Sequence, residues 1–169
     1  AAPPAEAETA PRGVTIAFED VWFHYGEGGS TPVWVLRGVS FTARPGETVA
    51  LVGHTGAGKT TIVNLLLRFY EPQRGRITAN GVDVRDLPLD EWRRLIGYVQ
   101  QDIFLFAADV RTNVRLDAPL DDAAVMAAAA RVGADRVIHR LPSRLDQVLG
   151  ERGASVSVGE RQLLSFARA

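Results

Sequence analysis

The sequence predicts an α/β fold wrapped around a phosphate-binding turn, and three observations carry that prediction. The run Gly53-His54-Thr55-Gly56-Ala57-Gly58-Lys59-Thr60-Thr61 fits the pattern G-x-x-x-x-G-K-[ST] at every required position. Residues 47–52 (ETVALV) before it read as a buried strand, and residues 62–67 (IVNLLL) after it read as a helix. Elsewhere, short alternating runs give way to segments of helical period, the mixture expected of a sheet packed with helices.

A strand that turns through glycines into a helix start is the setting the motif requires. Glycines let the backbone wrap close to a polyphosphate, and the first N–H groups of the helix favour an anion. In this pattern the ammonium of Lys59 reaches the outer phosphates and the hydroxyl of Thr60 ligates Mg²⁺, with residues 53–61 as the nucleotide cradle. The sequence therefore points to binding of a nucleoside triphosphate.

Composition narrows the class. With 169 residues, 46% hydrophobic and 23% charged, the chain fits one globular domain. A net charge of −1 gives no electrostatic footprint for nucleic acid or an anionic membrane surface. There are no cysteines, hence no disulfide framework and no thiolate metal site. No apolar run is long enough to span a bilayer, and no signal peptide is visible. The chain opens on Ala1 and stops at Ala169 within a helical pattern, so it reads as part of something longer.

Residues 1–13 are rich in Ala, Pro and Glu without periodicity and read as a linker or disordered arm. Alternation then begins at Val14, Ile16 and Phe18 and resumes at Val21, Phe23 and Tyr25, giving one or two strands closed by a glycine-rich turn at 26–30. Residues 33–43 form another strand region, interrupted near Gly38. Residues 75–84 pattern as a hairpin with Asn80-Gly81 as its tight turn. Residues 90–95 predict a short helix with Asp90 and Glu91 in its acidic first turn, on which Arg93 and Arg94 read as a solvated face.

Residues 96–100 (IGYVQ) predict a strand, and after Gln101 the pattern turns helical, with Asp102 as a cap. Asp121-Asp122 start a helix that runs through the alanines to Arg131 and stops at Gly133. A second short helix covers 134–140 and ends before Pro142. His24, His54 and His139 are single histidines to which no chemistry is assigned.

Val156-Ser157-Val158-Gly159-Glu160 precedes a final helical run, 161–169. By itself Ser157-x-x-Glu160 is a capping box at a helix start. The whole run GERGASVSVGERQLLSFARA, however, resembles the signature region of ABC transporter ATPases, whose usual form is LSGGQ. Val156 stands for the leading Leu, Val158 for the first Gly and Glu160 for the Gln.

The resemblance gives roles to other positions in chain order. Tyr25 matches the aromatic on which adenine stacks, and Gln101 matches the glutamine that links Mg²⁺ and the attacking water to the transmembrane partner. FLFAADVRTNV resembles the stretch of exporter-type subunits that meets the membrane domain, and Gly150-Glu151-Arg152-Gly153 the segment just before the signature. This implies a P-loop NTPase core with an antiparallel β subdomain and a helical, signature-bearing subdomain, incomplete at the C-terminus. Its expected division is 14–101 for the β subdomain and phosphate-loop core and 102–169 for the helical subdomain.

The resemblance also implies ATP and Mg²⁺ as ligands and a second ATPase domain packed head to tail. In that dimer Ser157, Val158, Gly159 and Glu160 would act on the partner's ATP. A transmembrane domain is the other implied partner, placing the chain at the cytoplasmic face of a membrane. Family members carry an Asp for Mg²⁺, a glutamate base and a histidine downstream of the signature helix, and none stands in this sequence. ATP-driven export is therefore expected of the parent protein, and ATP binding at most of this chain alone.

Three other readings compete with this one. A soluble ABC-type ATPase with long coiled coils is disfavoured because no heptads lie between Gln101 and Ser157. A non-hydrolysing regulatory ABC module keeps the same motifs and stays open. A small-molecule kinase with a phosphate loop does not account for the signature run.

Overall fold

The computed structural model describes residues 13–26, 33–150 and 155–169, so most of the predicted arm and of the 26–30 turn, together with Glu151-Arg152-Gly153, lies outside the described residues. The chain divides into two compact units, Ala1–Ile96 and Gly97–Ala169, each with its own core.

In the first unit, β1 (Ile16–Phe23) lies between β2 (Leu36–Ala43) and β3 (Arg74–Ala79), and β4 (Val82–Asp83) closes the edge. All pairings are antiparallel. The apolar alternation of β1 buries Phe18, Val21 and Phe23, and its register shifts between Phe18 and Val21, where Asp20 has φ 48°. Gly75 lies against that bulge: a Cβ there would sit 2.2 Å from the Asp20 carbonyl oxygen, so the close approach requires glycine. Asn80 and Gly81 both have positive φ, as a two-residue hairpin turn demands.

Helix α1 (Lys59–Leu66) packs Leu65 into this core, and α2 (Leu89–Arg94) adds Trp92, whose Nε1 donates to the Leu66 carbonyl at 2.7 Å. Arg93 is not a solvated side chain. Its guanidinium donates to the carbonyls of Leu67 (3.0 Å) and Arg68 (3.1 Å), satisfying groups that the end of α1 leaves unpaired.

The predicted strands at 47–52 and 96–100 do not form. A strand is held only by hydrogen bonds to a neighbouring strand. These two need a partner brought from elsewhere in the chain, and no segment supplies one among the described residues. Val49 and Leu51 are consequently half-exposed, and Val52 is 92% exposed.

The second unit is helical: α3 (Val110–Arg115), α4 (Asp122–Arg131), α5 (Asp135–Arg140) and α6 (Val158–Arg168). Its core joins Leu105, Val110, Val125, Ala129, Ile138 and Leu164. Asp121 caps α4 and Gly133 follows its end at φ 75°, as the sequence indicates. Helical structure starts only at Val110, so Asp102 caps nothing; Asp109 is the cap, its carboxylate accepting from the Thr112 amide at 2.6 Å. The stretch 103–106 forms no regular structure, and buried Asn113 holds its last residue, donating to the Phe106 carbonyl (3.0 Å) and accepting from the Phe106 amide (2.8 Å).

Candidate functional site

The phosphate-loop residues form a turn that leads straight into α1. Gly58 is the residue before the helix, at φ 89° and ψ 6°, a conformation that costs any other residue strain. It is also crowded, since a Cβ would come within 2.6 Å of Leu36. The α1 start has no side-chain cap and no acidic residue in its first turn, so no neighbouring side chain competes with an anion for its first amides. Lys59 folds back over the loop, its Nζ donating to the carbonyls of Gly53 (2.6 Å) and His54 (2.9 Å). The ammonium is thereby held inside the turn rather than loose in solvent.

His54 shapes the loop through its ring nitrogen, 2.8 Å from the Thr55 carbonyl. Thr55, Gly56, Ala57 and Thr60 are exposed, whereas Thr61 is buried at the start of α1. The Thr60 hydroxyl is a hard oxygen donor suited to Mg²⁺, an ion that takes most of its other ligands from phosphate and water. Among the described residues no group of three or more His, Cys, Asp or Glu is placed to hold a metal ion.

Tyr25 follows β1 in this same unit and is 48% exposed. Its hydroxyl is 2.9 Å from the Thr61 hydroxyl, and the rings of Phe23 and Tyr70 meet its ring at right angles, 4.8 and 5.1 Å away. The structure therefore brings Tyr25 to the helix that carries the phosphate loop. Nothing in the local pattern marks Tyr70, since it follows the helix rather than alternating within a strand.

Gln101 belongs to the second unit, where it lines a cavity of about 510 Å³ with Asp102, Ile103, Phe104, Val158 and Arg161. This sets Gln101 beside the signature. At the signature itself the capping box is formed: the Glu160 amide donates to Ser157 Oγ (3.3 Å), and the Ser157 amide donates to Glu160 Oε2 (2.8 Å). Ser157, Val158 and Gly159 are exposed, while Val156 is buried. The cap uses one acceptor position of the Ser157 hydroxyl and leaves its hydrogen able to donate.

Arg140 donates to Glu160 Oε1 at 2.7 Å, a partner that sequence spacing does not reveal. The backbone and side chain of Ser157, and then Arg140, hold the Glu160 carboxyl below its ordinary value of 4.5. A depressed carboxyl contributes stability that is present above the ordinary value and lost as pH falls through the lowered one. Glu160→Gln should lower stability at neutral pH and flatten that acid-side loss. Chemical denaturation of both proteins between pH 3 and pH 7, roughly the span of carboxylate titration, checks this; equal acid sensitivity would contradict it.

With this geometry in place, comparison with known proteins gives the family. The ABC transporter family model matches residues 36–169. The ABC transporter ATP-binding protein exp8 of Streptococcus pneumoniae is 46% identical over 153 residues, covering 90% of this chain and 26% of that protein. The β-(1→2)glucan export ATP-binding/permease protein NdvA of Rhodopseudomonas palustris is 46% identical over 155 residues, 91% of this chain and 25% of that protein. A solved structure of a bacterial Atm1-family ABC exporter with ATP bound superposes with a TM-score of 0.82 at 36% identity, covering 98% of this chain and 29% of that one. The chain spans about a quarter of the length of the curated relatives it matches. It belongs to the ABC transporter family, as an ATP-binding domain homologous to those of exporters.

Proposed function

We propose that this chain binds Mg²⁺-ATP at its phosphate loop as the nucleotide-binding part of an exporter. The observation that carries this is the Lys59 ammonium, gathered onto two loop carbonyls beside an uncapped helix start. Glycines 53, 56 and 58 let the backbone amides approach the phosphates, and Lys59 balances their charge. Mg²⁺, when bound, spreads the charge of the outer phosphates, and the Thr60 hydroxyl would hold it. Tyr25 supplies a ring on which adenine stacks.

In a complete transporter, Ser157, Val158, Gly159 and Glu160 would face the ATP of a second such domain. An exposed helix start with a hydroxyl can donate to a phosphate held by another subunit's lysine. ATP would then hold the two domains together, and hydrolysis would release them and move transmembrane partners from the cytoplasmic side. Among the described residues no helix is long and apolar enough to cross a membrane. The glucan transported by NdvA belongs to that protein; no substrate is assigned here.

Tyr25→Ala should weaken ATP binding by about 1–3 kcal/mol, as for other base–aromatic stacks, and Tyr25→Trp should bind about normally. Calorimetric titration with Mg²⁺-ATP measures both. Loss of folded circular dichroism in both variants would make Tyr25 a core aromatic instead. The 169-residue chain alone should bind without turnover, because no candidate base follows its signature. Lys59-dependent phosphate release from the purified chain would contradict that.

A further inference from the structure

Strand β1 ends just before Tyr25, and a side chain rather than a strand carries its last rung. On the side facing β3, Trp22 stands opposite Arg74, and its carbonyl accepts from the Gln73 amide at 3.1 Å. The next rung on that side belongs to His24 and falls opposite Pro72, which has no N–H to donate. The Gln73 side chain fills it. Its Oε1 accepts from the His24 amide and its Nε2 donates to the His24 carbonyl, both at 3.1 Å, across 49 residues of sequence. A primary amide offers a donor and an acceptor together, so it closes the same two bonds as a ladder partner. Tyr25 follows at once, and after it Gly26 stands at φ 145°, in the region that favours glycine and restrains the chain little. The backbone of Tyr25 is thus fixed from its N-terminal side, through Gln73.

We propose that Gln73 is a positioning residue for the nucleotide base: its side-chain amide pins the backbone just before Tyr25, so that the ring is presented for stacking in one place. The role is exerted through Tyr25 and so rests on Tyr25 as the stacking partner. The hold is on the main chain, not on the ring. It therefore serves any flat side chain at position 25 and agrees with the normal binding expected of Tyr25→Trp. Without it the His24 amide and carbonyl turn to water, and ordering this segment becomes a cost of binding the base. Gln73 lies outside the phosphate loop and α1, so the polyphosphate cradle does not depend on it.

The test measures binding of two ligands to the full chain, Mg²⁺-ATP and inorganic tripolyphosphate with Mg²⁺. Tripolyphosphate has no base. Gln73→Met keeps the side chain's length and deletes both bonds. It should weaken ATP about two- to tenfold, the range of one net hydrogen bond, and leave tripolyphosphate within about twofold. Gln73→Ala should do the same, and it decides if Gln73→Met does not fold. Beside Tyr25→Trp the loss should recur, because a ring is still there to be placed. Beside Tyr25→Ala it should vanish, because no ring remains. Equal losses for both ligands, a loss that persists beside Tyr25→Ala, or full ATP affinity in the Gln73 variants would overturn the proposal, as would loss of folded circular dichroism in both. If Tyr25→Ala binds ATP as the parent does, the stacking reading falls and the role of Gln73 with it; if Tyr25→Ala weakens ATP while the Gln73 variants bind normally, only the Gln73 assignment falls.

Discussion

Replacing Lys59 with alanine should cost about tenfold to a hundredfold in ATP affinity, the loss expected when a charge-assisted contact to phosphate disappears. Lys59 Nζ already bonds the Gly53 and His54 carbonyls, so the loop delivers the ammonium to the ligand instead of ordering it on binding. The substitution also frees those two carbonyls, but Gly53 and His54 are exposed and water can satisfy them. Folding should therefore survive while binding does not. Calorimetry beside a thermal melt separates the two effects. An unchanged affinity would remove the phosphate-loop assignment.

An equally large effect is expected at the signature, where the capping box and the trans-acting donor are both open to Ser157. Ser157→Arg, placed in one subunit of a complete two-site dimer, blocks the α6 start with a bulky cation and deletes the hydroxyl. As a cap alone, Ser157 is worth about 0.5–2 kcal/mol, and its loss harms its own subunit first. As a trans donor, its loss leaves its own phosphate loop able to bind and stops hydrolysis opposite. Pairing that subunit with a Lys59→Ala partner leaves one sound site, made from the intact loop of the first and the intact signature of the second. Putting both substitutions in one subunit damages both sites. The first arrangement should keep some turnover and the second almost none, and equal rates would return Ser157 to the role of a cap.

Much of this was legible because the signals are local. The Gly58 conformation, the Asn80-Gly81 turn, the Asp121 cap and the Ser157–Glu160 box each depend on residues within a turn of one another. What the sequence misled on depends on distant partners. Residues 47–52 carry a strand's apolar run, yet a strand exists only against a ladder partner, and the run stays exposed where none reaches it. Arg93 reads as a surface cation because its targets, the carbonyls of Leu67 and Arg68 just past α1, lie 26 and 25 residues away. Asp102 has a cap's composition, but the residues after it form no regular structure and the helix starts at Val110 behind Asp109. At the candidate site the loop was readable whole, whereas the Tyr25–Thr61 bond and the Arg140 anchor on Glu160 join segments whose meeting only the fold reveals.

The central claim is that ATP is held by the glycine-rich turn and the first turn of α1, with its base at Tyr25. Backbone amide NMR of the chain, titrated with Mg²⁺-ATP, tests it most directly. The account predicts the largest shifts at the amides of Gly56, Gly58, Lys59, Thr60 and Thr61, with Tyr25 ring resonances moving at the same ligand concentration. With tripolyphosphate the loop amides should shift alone. Loop amides that stay in place while resonances elsewhere in the chain respond to ATP would contradict it.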